Sequence, residues 1–238
     1  MKKIYQKNWE QNAINNQIPE VEELLSLLKS DDFEDKHFAL TYIDTLPEVS
    51  DILAFIENLV DNDTKIRELS SFRLINFILE NPNYMSFLDE NEDIILRAIC
   101  DVNPQVCRNI CTILHLSKKK NILQNKIIEK ISILIVKTKN IKNKSHKVSK
   151  DIFNLYWNFM ALENLIEKPC TNPDMLLSLI SQSLEYKDYT IRERGAYLFK
   201  KTEIKNEEIF SKIQKDVNFY VKNVFLVNSC NYFLKCYK

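Results

Sequence analysis

The first residues that could act together chemically are Cys107, Cys111 and His115, spaced at i, i+4 and i+8. On a helix they would share one face, and two thiolates with an imidazole suit a soft metal ion. Against ligation, eight residues of helix rise about 12 Å, too far for one ion. The six cysteines contain no C-x-x-C pair, and Cys111 falls in a column of small and apolar residues. They read as reduced core residues, with no metal and no cofactor expected.

The second constellation is cationic. Residues 1–116 carry 10 Lys and Arg against 21 Asp and Glu, whereas residues 117–238 carry 23 against 12. The segment Ser117–Lys150 has eleven lysines and a single acid, Glu129. Such a stripe can hold a phosphate backbone without reading bases. The candidate polyanion-binding residues are Lys137, Lys139, Lys142, Lys144, Lys147, Arg192, Arg194 and Lys222, with Trp157 as a candidate stacking ring. Each has a structural alternative. A Trp in an amphipathic helix suits the core, and four of the six arginines stand within three residues of a recurring β-branched helix-start residue, a placement that suggests a structural need for the guanidinium fork. Arg73 lies outside that pattern and reads as solvated. The acidic pairs Asp31-Asp32 and Glu207-Glu208 fit loop and first-turn positions, and no acid–base dyad stands out.

Glycine excludes more. The chain has only Gly195, whereas phosphate-cradling loops need at least two glycines and nucleophile elbows need them as well. P-loop NTPases, Rossmann dehydrogenases, protein kinases and α/β-hydrolases are all ruled out. Corners must instead be turned by Asn, Asp and Pro, as helical hairpins allow. No apolar run is long enough to cross a bilayer, and the first residues lack an apolar signal-peptide core. The expectation is a cytoplasmic protein.

The elements that position these residues repeat along the chain. A polar turn, a β-branched anchor and an amphipathic helix recur at Ile66, Val106, Val148, Ile191 and Val221, with a degenerate copy starting at Asp31. The steps match one helical hairpin each. Between them lie partner helices. One opens at Ser50, another carries Ile127, Ile128, Ile131, Leu134 and Ile135, a third follows Asn172-Pro173-Asp174 and a fourth Asn206-Glu207-Glu208. Val21, Leu24, Leu25 and Leu28 form an N-terminal capping helix. Columns four and five residues after the anchors hold small or apolar residues, which gives Gly195 a reading as a close helix–helix approach.

The recurring Asp/Asn-x-x-Val/Ile-Arg at a helix start resembles HEAT repeats. That resemblance implies an all-α fold, a right-handed α-solenoid of helical hairpins, with residues 1–238 forming one domain: capping helices in 1–30 and repeats from about 31 to 238. Tyr189-Thr-Ile-Arg-Glu-Arg-Gly-Ala-Tyr-Leu-Phe and Phe219-Tyr-Val-Lys-Asn-Val-Phe-Leu-Val-Asn-Ser are similar to the terminal repeats of HEAT-like alkylpurine DNA glycosylases, which implies aromatic, acidic and basic residues along a cleft. Neither Trp9 nor Trp157 heads a Trp-x-x-x-Asp cluster, so no catalytic residue carries over. The expected function is a non-catalytic module binding a protein partner. The alternatives are DNA binding or alkylation repair through the basic half, and self-association of acidic with basic halves.

Overall fold

In the computed structural model, residues 18–139, 146–167 and 173–225 are described, with the backbone alone at 146–148. Among them every regular element is helical. No described helix is long and apolar enough to cross a membrane. The chain gathers into two compact units, the first made of residues up to 98 together with 103–116, the second of 99–102 together with 117 onward.

Unit 1 contains α1 (Val21–Leu28), α2 (Phe33–Tyr42), α3 (Ile52–Asn58), α4 (Thr64–Glu80), α5 (Met85–Asp89), α6 (Glu92–Ala98) and α7 (Pro104–Ile113). Helices α2, α4 and α7 pack side by side, while α1 and α3 back onto α2 and α4. Between α4 and α7, a stretch given no helix by its sequence pattern holds the short pair α5 and α6 behind Pro82. Unit 2 repeats the plan. Helices α8 (Lys120–Lys139), α10 (Pro173–Leu184) and α12 (Glu207–Gln214) back the row α9 (His146–Leu165), α11 (Tyr189–Thr202) and α13 (Phe219–Lys222).

The anchors explain why these helices stack. Ile66, Val106, Ile191 and Val221 are all fully buried, each worth roughly 1.5–3 kcal/mol of apolar burial; the side chain of Val148 lies outside the described residues. Three residues before each of these four sits the N-cap. Asp63, Asn103, Asp188 and Asn218 accept hydrogen bonds from amides of the first turn, as Asp32 does for α2. Such caps are worth about 1 kcal/mol apiece. Asn206 caps α12 in the expected way, whereas Asn172 lies outside the described residues. Ser50 opens no α-helix: it sits inside a 3-10 turn, Val49–Asp51, closed by the reciprocal bonds of Glu48 and Asp51.

One residue after the anchor column, cations tie repeats together. Arg67 donates to the loop carbonyls of Asp61 and Asn62 at 2.9 and 3.1 Å. Arg192 does the same to Tyr186 and Lys187, both at 2.9 Å. It also holds Asp216 of the next loop with two bonds of 2.7 and 3.1 Å. Lys36, four residues after its own cap Asp32, likewise grips Asp61 of the next loop at 2.6 Å. Although burial pushes the other way, the hydrogen bonds from Lys36 and the Asp63 amide hold Asp61 below the usual carboxylate range. Arg192 and the Asn218 amide do this for Asp216. Arg73 is not the solvated residue expected: its Nε donates to the Leu40 carbonyl at 2.8 Å and a second nitrogen to Thr41, filling acceptors that the end of α2 leaves open.

Buried polar side chains add further ties. Asn58 donates to the Leu28 carbonyl at 3.2 Å and Ser70 to Phe55 at 2.7 Å, while Asn109 reaches Ser71 at 3.0 Å. In the columns behind the anchors, Ser70, Ser71, Ile110, Cys111, Gly195 and Ala196 are buried as expected, whereas Ile152 and Phe153 are half-buried and Phe225 is 37% exposed; Leu226 lies outside the described residues. Without glycine at its end, α11 stops in a left-handed residue, Glu203, at φ 56°.

At Gly195, α11 approaches α10 closely. A Cβ there would sit 1.8 Å from Ser183 Oγ and 2.9 Å from Ser183 Cβ. Gly195→Ala should therefore lower stability by roughly 1–3 kcal/mol, despite the better helix propensity of Ala. Adding Ser183→Gly should recover part of the loss. Thermal melts of the single and double variants check this; a G195A melt matching that of the unaltered protein would remove the close approach.

Candidate interaction surface

Four of the described cations singled out by sequence are held in ion pairs within unit 2. Lys137 lies 2.7 Å from Asp151 and Lys139 lies 3.2 Å from Glu185, both ion pairs within unit 2. Arg192 pins Asp216, and Arg194 faces Glu163. Lys222 is exposed on α13, where its charge helps to lower Asp216. Lys142 and Lys144 lie outside the described residues, as does the side chain of Lys147. Trp157 is not presented as a stacking ring: it is buried, packed edge-to-face against Phe153 and Tyr156. Cys107 and Cys111 are buried in unit 1, whereas His115 is exposed with Nδ1 2.8 Å from the Thr112 carbonyl, so the three do not converge. Among the described residues no His, Cys, Asp and Glu cluster could hold a metal.

Two features of unit 2 emerge that the sequence pattern did not mark. The first is an aromatic edge at the starts of α11 and α13. Tyr189 and Tyr220 stack with centroids 6.1 Å apart and planes 25° apart, and Phe219 meets Tyr220 edge-on at 5.8 Å. Their exposures are 40%, 46% and 65%, and neighbouring Val217 is 92% exposed. The loop carrying them is held rigid: Asp216 accepts Arg192 on one side and the Asn218 amide, at 2.8 Å, on the other. Arg192 thus acts on this surface from behind.

The second feature is the surrounding of Arg194, on the side of α11 that faces α9. Its guanidinium carbon lies 4.4 Å from the Tyr197 ring centroid and 5.3 Å from that of Tyr156. One terminal nitrogen contacts Met160 Sδ and both Glu163 oxygens, the latter at 3.4 Å. The two side chains are only 12% and 15% exposed. Burial pushes the Glu163 carboxyl up to about 7 against the pull of Arg194 and Lys201, and Glu193 adds to the rise. For Arg194 the balance falls the other way: burial would lower it, but Glu163 leads the groups whose field raises it. In sequence Glu163 looks like one more solvated charge on an amphipathic helix. Only its partner, 31 residues on, marks it.

The chain matches no protein-family model, and no curated sequence is similar to it. Its fold has counterparts among solved structures. The complex of CpcE and CpcF of phycocyanin lyase from Nostoc sp. PCC7120 is similar at a TM-score of 0.52 and 14% identity, covering 95% of this chain and 79% of that one. An engineered protein is similar at a TM-score of 0.51 and 15% identity, covering 87% and 94%. The first is a HEAT-like helical solenoid, and the chain shares its all-helical repeat fold. The likeness of the last repeats to alkylpurine DNA glycosylases gains nothing from either structure.

Because the Glu163 pKa is raised on folding from 4.5 to about 7, the folded state binds more protons than the unfolded chain between those values. Stability should be highest below that window and fall as pH rises through it, by up to roughly 3 kcal/mol. Glu163→Gln should flatten this slope. Urea unfolding at pH 5, 6, 7 and 8 checks it; an unchanged slope in E163Q would assign the dependence to other groups.

Proposed function

We propose that this chain is a non-catalytic helical-repeat module that binds a protein partner through the aromatic edge of unit 2. The observation that carries the reading is a contiguous set of solvent-facing Tyr189, Val217, Phe219 and Tyr220 on a loop pinned by Arg192 and Asp216. Contiguous exposed apolar side chains mark interaction sites. Tyrosine supplies large, stiff contact area and is enriched at binding hot spots. Fixing the loop in advance lowers the ordering cost of association. One solenoid of this architecture occurs as a complex of two chains, which accords with the reading.

The same surface argues for a protein in preference to a polyanion. Of the candidate cations described, Lys137, Lys139, Arg192 and Arg194 are ion-paired within unit 2, and such pairs would have to break before a phosphate could take their place. What the edge offers in the open is aromatic area.

A photo-crosslinking residue placed at position 219 tests this in the producing cell. One discrete protein partner should be captured, and capture should fall at least about tenfold when Tyr189→Ser and Tyr220→Ser are added, an expected loss of 1–2 kcal/mol or more for hot-spot truncation. Circular dichroism should show the helices intact. Undiminished capture in the serine variants would move the site elsewhere. Crosslinks only to a second copy of the chain would make the edge a self-association surface, and crosslinks to nucleic acid would overturn the protein reading.

A further inference from the structure

Arg192 and Arg194 lie two residues apart on one helix, and their surroundings differ in a way that stability does not explain. Arg192 makes four bonds of 2.7–3.1 Å to two carbonyls and a carboxylate. Arg194 is at least as deeply buried, yet its hydrogen bonds leave from a single terminal nitrogen, to Met160 Sδ at 2.6 Å and to the Glu163 oxygens at 3.4 Å, the latter at the outer limit of hydrogen bonding. Its Nε is buried with no hydrogen-bond partner. A buried guanidinium N–H left without an acceptor is costly, and native structures keep few such groups. The rings of Tyr156 and Tyr197 are held near the guanidinium, and ring faces stabilise a cation without occupying its N–H donors. Arg194 is thus held in place with donor capacity to spare.

We propose that Arg194, flanked by Tyr156 and Tyr197, is a carboxylate-binding subsite in which an incoming carboxylate takes over the guanidinium fork that Glu163 only loosely engages. The fork geometry selects a planar, bidentate acceptor. Glu163 can yield its place because its carboxyl, pushed by burial up to about 7, takes up a proton within the physiological pH range. The proton balance is simple: the incoming anion brings a negative charge beside Glu163, which takes up a proton from solvent, so the net charge around Arg194 is conserved. The other charges acting on Glu163 are Lys201 and Glu193, both on α11. Glu193 is also raised by burial, against the pull of Arg194. The carboxylate comes from a free organic acid or from an acidic side chain of a bound protein. The proposal does not depend on the aromatic edge, because it concerns the α9-facing side of α11.

The Nε–Hε signal of Arg194 in a nitrogen-15 correlation spectrum, assigned by its loss in R194K, reports on the fork. Full-length protein is titrated at pH 6 and pH 8 with sodium acetate and with the blocked peptide acetyl-Ala-Glu-Ala-amide. Sodium chloride and the matching Gln peptide serve as controls. Both carboxylates should shift the signal saturably while the controls leave it in place. Affinity should be roughly tenfold higher at pH 6, as expected when a group titrating near 7 must be protonated. In E163Q the affinity should match the pH 6 value at both pH values, and R194K, folded by circular dichroism, should not bind. Tighter binding of the peptide assigns the site to a protein side chain, and binding of acetate alone assigns it to a free acid. A signal that neither carboxylate moves, or an E163Q variant as pH-dependent as the unaltered protein, overturns the proposal.

Discussion

Everything in this fold hangs on how a chain with one glycine turns corners. A helix start exposes amide donors that must be met locally, and each described turn into α2, α4, α7, α11 or α13 meets them with an Asp or Asn side chain. Caps alone would leave the hairpins as separate pieces. The cation four residues after the cap supplies the link: Lys36 to Asp61, and Arg192 to Asp216, each reach forward into the next turn. Arg67 and Arg192 also reach back to the carbonyls of their own turn. Local turn chemistry and stacking between repeats therefore share the same few atoms, and a repeat protein's stability is largely the sum of such neighbour terms.

The two arginines of α11 show two fates of a guanidinium taken from water. Where short bonds answer its donors, the residue serves architecture, and here it fixes the loop that holds the aromatic edge outward. Where aromatic faces answer the charge and one terminal nitrogen alone finds acceptors, the Nε donor is left over. Burying ions is costly unless geometry is close to ideal, so the contrast within one turn of helix separates the residue that holds the fold from the one with unused binding capacity.

Much of this was legible in the sequence because it is local. The anchors Ile66, Val106, Ile191 and Val221, the cap residues and the stripe of α8 depend on spacing within a turn or two. The structural role of Arg192 followed from its fixed offset from an anchor. What could not be read is non-local. Lys137 looks like part of a cationic patch until Asp151 is folded against it, and Lys139 does so until Glu185 is. Trp157 reads first as a core residue, and only its neighbours set aside the stacking ring. Glu163 becomes unusual only beside Arg194. The helices α5 and α6 were missed because, at five and seven residues, they are too short to show a full apolar period. The carbonyl partners of Arg73 left no trace in the pattern, since a backbone oxygen has no sequence signature.

The bare Cα of Gly195 has a consequence beyond packing. Because it nests against Ser183, α11 is indexed about its own axis. Successive residues of a helix are rotated by about 100°, so with position 195 turned to α10, position 192 points to the loops and position 194 to α9. Were the helix to settle one residue out of phase, the pin behind the aromatic edge and the donor-rich pocket beside Glu163 would both be lost. The absence of one methyl group thus sets the angular address of every side chain on α11, and it does so for two surfaces that never touch it.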